Sequence, residues 1–138
     1  MNANLIVTLI GFMGIGAAIK SFIDAVLTRR QSQSQKQLEF KETRYKALIL
    51  LMLAMLDFEK SLPGLRQHGR NFNSPEELLN EIRDERNNMI LYASDEVIKA
   101  VKLFIADPNE KTFYEAAIKM RKDLYGLKKL KLNDLLIP

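Results

Sequence analysis

From Asn2 to Ile19 the chain runs 18 residues without a charged side chain, and Gly11, Gly14 and Gly16 lie inside that run. No other feature narrows the fold as much. So long an uncharged stretch is either a strand entering a glycine-rich phosphate loop or a helix placed in a bilayer. Three glycines in six residues weigh against a helix in water, where each costs up to ~1 kcal/mol relative to alanine. In bilayer helices glycine is commoner, because it lets backbones approach closely.

The phosphate-loop alternative rests on Gly11 and Gly16, which have the separation of G-x-x-x-x-G-K-[ST]. Over about a dozen residues "LIVTLIGFMG" resembles the opening of the shikimate kinases and similar small-molecule kinases. That resemblance implies a phosphate-binding lysine and a magnesium-binding hydroxyl, but Ala17 and Ala18 stand in their places. Methyl groups can neither neutralise a phosphate nor ligate a metal. Lys20 comes a helical turn too late, and Met13 replaces the middle glycine of the dinucleotide fingerprint. After residue 30 the only period-2 pattern is a weak "LKKLKLN", so a parallel sheet has no strands from which to form. Nucleotide binding is therefore not expected.

The bilayer reading predicts a transmembrane helix over residues 1–28. The strongly apolar part, Leu5–Ile19, would measure only about 22 Å as a helix, against ~30 Å of hydrocarbon. Continuing to Leu27 brings the length to about 34 Å and takes in Lys20 and Asp24 on one face. No Lys or Arg precedes Lys20, so a cleaved signal peptide is not expected. Basic residues gather afterwards: residues 29–60 hold seven basic and four acidic side chains. The positive-inside rule then predicts a single-pass protein with its N-terminus outside and its C-terminal domain cytoplasmic. Lys20, Asp24, Arg29 and Arg30 would mark the membrane interface.

Small residues recur along this helix. Gly11, Gly14, Ala18, Ser21 and Ala25 are spaced 3, 4, 3 and 4, which aligns them on one seam. Such a seam suits close, coiled-coil-like packing between identical helices, so a homo-oligomer is expected.

Residues 29–37 form a polar connector, read equally well as continuous helix or flexible linker, and residues 38–138 a helical domain of four-helix-bundle type. Leu38, Tyr45, Leu48, Met52 and Met55 repeat at helical spacing, and Ala47–Leu56 is apolar all round. That pattern predicts a central core helix, or one covered by a neighbouring subunit, ended by Pro63-Gly64. "SPEELLNEI" carries Ser74 as an N-cap, Pro75 at the first helical position and Glu77 to close a capping box. Ser94 begins a further helix, and a last one runs from about Asn109 to Tyr125 with Gly126 as its stop.

Enzymatic chemistry has little to work with. The chain has no cysteine, and its one histidine, His68, lies in a loop between Arg66 and Arg70. Glu76, Glu77, Glu81, Asp84 and Glu85 alternate with Arg83 and Arg86, which reads as a solvated, salt-bridged face rather than a metal cluster. No catalytic, cofactor or metal residue is assigned. The net charge is a modest +4, but Lys119, Arg121, Lys122, Lys128, Lys129 and Lys131 concentrate near the end, opposed by Asp123. Contact with anionic lipid headgroups is the functional reading of that cluster. Nucleic acid is not expected, because stacking aromatics are not interleaved with the basic residues. The terminal "LNDLLIP" is apolar enough to dock on its own bundle or on a neighbour.

Together these features predict a non-enzymatic membrane scaffold or partner-docking module that self-associates. The alternative is a membrane-perturbing effector or channel component whose oligomerised helices form a pore.

Overall fold

A computed structural model describes the backbone of residues 3–126 and 130–136, and the side chains of residues 18–126 and 130–136. Every regular element among them is helical. In chain order they are α1 (Ala3–Leu56), α2 (Phe58–Gln67), α3 (Pro75–Asn88), a 3₁₀ turn (Met89–Leu91), α4 (Asp95–Ala106), α5 (Glu110–Tyr125) and a second 3₁₀ turn (Leu132–Asp134). The chain divides into two compact units, Met1–Glu39 and Phe40–Pro138. The polar connector is helical, because α1 passes through it without interruption.

The transmembrane expectation is corrected here. Among the described residues no helix is long and apolar enough to cross a membrane. The described side chains of α1 begin at Ala18, and from there Lys20, Asp24, Arg29 and Arg30 arrive within about three helical turns, with the polar connector continuing from them. The single-pass topology, with its outside N-terminus and cytoplasmic domain, is therefore withdrawn.

In the second unit a core collects one stripe from each helix. Tyr45, Leu48, Leu51 and Met52 of α1 meet Leu78 and Ile82 of α3, Val97, Val101 and Phe104 of α4, and Phe113, Ala116 and Met120 of α5. Burying each large apolar side chain contributes roughly 1.5–3 kcal/mol, which is what holds these short helices together. The helical bundle expected from periodicity is present.

Several boundaries differ from expectation. Pro63-Gly64 does not end a helix: Pro63 lies inside α2. The break falls earlier, at Asp57, where φ −145° and ψ 76° leave the helical region. Ala47–Leu56 is not wrapped on all sides either, since Leu50 and Leu53 remain 57% and 44% exposed. Leu38, expected in the buried stripe, is exposed as well.

The caps follow their side-chain chemistry. Ser74 Oγ accepts from the Glu77 N–H at 3.2 Å, while the Glu77 carboxylate accepts from the Asn73 N–H at 2.8 Å, one residue earlier than a standard box. Asn109 and Thr112 form a reciprocal box at the start of α5. Gly126 closes α5 at φ +60°, a left-handed conformation that glycine adopts without a Cβ penalty. The Leu132–Asp134 turn lies where the weak strand pattern was noted, and Leu127, Lys128 and Lys129 fall outside the described residues.

Candidate interaction surfaces

In the first unit, α1 from Ala18 to Glu39 is exposed at every position except half-buried Val26. Charged and polar side chains account for most of it, but Ile19, Phe22, Ile23 and Leu27 are exposed too, Phe22 by 71%. They recur at i, i+3, i+4 and i+8, so they share one side of the helix. Of the expected small-residue seam, Ala18, Ser21 and Ala25 are exposed. Gly11 and Gly14 lie on the backbone of α1, but what surrounds them falls outside the described side chains.

In the second unit, charged groups fasten α1 to the rest of the bundle. Lys41 Nζ donates to the Asp123 carboxylate of α5 at 3.2 Å, the Tyr45 hydroxyl donates to the same oxygen, and the Ser94 N–H reaches it at 3.4 Å. Burial pushes the Asp123 carboxyl up, but those three donors outweigh it and hold the group below its ordinary range. Burial, then the neighbouring Asp123 charge, push the Tyr45 hydroxyl strongly up. One turn along, Arg44 Nη2 donates to both carboxylate oxygens of Glu85 of α3, at 2.6 and 2.7 Å. Tyr92 fills the gap between the two clusters, edge-on to Phe40 at 5.4 Å and 6.1 Å from the Tyr45 ring.

Comparison with protein-family models, curated proteins and solved structures returned no match.

The C-terminal basic cluster is smaller than its sequence suggests. Lys119 and Lys122 both turn to Glu96 of α4, at 3.4 and 3.3 Å. Arg121 and Lys131 are exposed, and Lys128 and Lys129 lie outside the described residues. The acidic face of α3 also behaves differently from its local pattern. Glu85 pairs with Arg44 and Glu81 with Arg70, whereas Arg83 bonds to Asn80 instead of a carboxylate. Among the described residues no group of His, Asp or Glu could hold a metal ion, and His68 is exposed.

His68 does border a groove of about 450 Å³, floored by Ala47, Leu51, Ala54 and Leu65 and flanked by Leu50 and Leu53. Sequence reasoning missed this groove, and missed the Asp123 and Glu85 clusters. One signal was available: Tyr45 stands in an apolar stripe, and a buried tyrosine needs a partner for its hydroxyl. Nothing local could say that the partner lay 78 residues away.

Proposed function

We propose that the chain is a non-enzymatic, self-associating scaffold in which the exposed segment of α1 is the assembly element and the bundle is the module it presents. One observation carries the reading. Residues 18–39 form a helix exposed at every position but half-buried Val26, and it displays Ile19, Phe22, Ile23 and Leu27 on one side. An isolated helix in water is marginal, and helical stability comes mostly from packing an apolar face. Contact with a second copy supplies that packing.

Two features favour a copy of the same chain over an unrelated partner. Ala18, Ser21 and Ala25 leave room for a helix backbone beside the large apolar groups. Lys20 and Asp24 carry opposite charges one turn apart, so an antiparallel pair centred near Phe22 sets each against the other's opposite across a two-fold axis. A parallel pair would align like charges. In water the driving force is removal of apolar surface from solvent.

Mass measurement by sedimentation or light scattering tests the proposal. The full chain is expected at a multiple of 15.9 kDa, and a Phe22→Gln, Ile23→Gln variant is expected to return to the single-chain mass with its helicity in the bundle intact. A wild-type chain that stays at the single-chain mass across the accessible concentration range overturns it.

A further inference from the structure

Between α3 and α4 lies a cleft of about 200 Å³ lined by Arg83, Arg86, Asn87, Lys102 and Ile105. Three cations therefore face one small space, and no carboxylate lines it. Local sequence explains the imbalance. The helical neighbours of Arg83 three and four residues away are Leu79, Asn80, Arg86 and Asn87. Those of Arg86 are Ile82, Arg83, Met89 and Ile90, and those of Lys102 are Ile98, Lys99, Ile105 and Ala106. None of these neighbours can neutralise a cation through the usual i,i+3 or i,i+4 pairing.

Six other basic side chains of the bundle, Lys41, Arg44, Lys46, Arg70, Lys119 and Lys122, each reach a carboxylate. Among the described residues none of the cleft cations forms such a pair, and Arg83 has only the Asn80 side-chain oxygen, at 2.8 Å. The Arg86 side chain is half-buried beside the exposed Arg83 and Lys102. Like charges brought together around one small space call for an anion with several acceptor oxygens.

We infer that this cleft is a binding site for a phosphate-type dianion, held by the guanidinium groups of Arg83 and Arg86 and the ammonium of Lys102. Planar guanidinium groups match phosphate oxygens in pairs, the Lys102 ammonium adds a point charge, and the Asn87 amide can donate a further N–H. The space admits a single phosphate group and leaves the remainder of an ester in solvent. A free phosphate monoester and the headgroup of phosphatidic acid share this chemistry. The site is separate from the self-association surface of α1 and does not depend on it.

The test titrates the full chain with inorganic phosphate by calorimetry and by amide NMR, and in parallel measures co-sedimentation with vesicles of phosphatidylcholine with and without phosphatidic acid. Saturable phosphate binding is expected, with amide shifts confined to α3 and α4. An Arg86→Gln, Lys102→Gln variant should weaken it at least about tenfold. A Lys111→Gln, Arg121→Gln variant, which removes the same charge from exposed positions of α5, should leave it nearly unchanged. Retention on phosphatidic acid vesicles that is lost with Arg86 and Lys102 assigns the headgroup as the source. Binding of free phosphate without vesicle retention assigns a soluble ester. Absence of a saturable response to either probe, or equal weakening by both variants, overturns the inference. Far-UV circular dichroism of each variant separates lost binding from lost folding.

Discussion

Tyr45 of α1 donates its hydroxyl to the carboxylate of Asp123 on α5, and Lys41 converges on the same oxygen from one turn earlier in α1. This contact joins residues 78 apart in sequence. It ties α1 to α5 across the bundle.

The pH dependence of stability follows from its two titrating members. Asp123 has a carboxyl held below its ordinary range in the folded chain, so its contribution is present above the unfolded value of ~3.9 and is lost as pH falls through the lower folded value. Tyr45 is shifted the opposite way. Its contribution is complete below ~10 and is lost as pH rises beyond that. Chemical denaturation across pH should show both flanks. Asp123→Asn should flatten the acid flank, and Tyr45→Phe the alkaline one; a flank that persists unchanged removes that residue from the account.

Removing one partner should cost more than the bond itself is worth. Asp123→Ala leaves the buried Tyr45 hydroxyl without an acceptor, for an expected loss of about 2 kcal/mol, whereas Tyr45→Phe should cost about 1 kcal/mol. Urea midpoints of the two variants check the order. Equal losses would mean that the hydroxyl finds another acceptor.

Phe104 of α4 is fully buried among the stripes of the other helices. Phe104→Ala should destabilise the chain by about 3–5 kcal/mol through lost burial and the cavity left behind. Leu103, its exposed neighbour, provides the control: Leu103→Ala should stay within about 0.5 kcal/mol.

Pro63 is expected to weaken the element that contains it. Within α2 it supplies no N–H to the carbonyl four residues earlier, and its ring crowds that carbonyl. Pro63→Ala should raise stability by about 2 kcal/mol after allowing for the greater freedom of the unfolded chain. An unchanged or lower thermal midpoint would show that α2 accommodates the ring without strain.

Along the α1 seam, Gly14→Leu with Ala18→Leu fills the space on which close helix approach depends. The associated mass should fall. A mass equal to that of the unaltered chain would remove the small residues from the assembly surface, while leaving the apolar side defined by Phe22 and Ile23 to be judged by its own variants.

Much of the bundle was legible because its signals are local. Ser74, Pro75 and Gly126 work within one turn of themselves, and Tyr45, Leu48 and Met52 recur at helical spacing whatever packs against them. The apolar opening run is also a local signal: its length and glycines match a bilayer helix, yet among the described residues no helix is long and apolar enough to cross a membrane. Likewise Pro63-Gly64 has the local form of a helix stop, yet α2 continues through it because Leu65 is buried in the core.

By itself the sequence determined the helical class, the Ser74 start of α3 and the Gly126 stop of α5, since all of these depend on neighbours within a few residues. Only the tertiary structure decided which carboxylates meet which cations: Asp123 with Lys41, Glu85 with Arg44, and none for Arg83, Arg86 and Lys102. Charge pairing across helices depends on distance in space, and residues 40 or 80 apart reveal that distance only once the core has drawn their helices together.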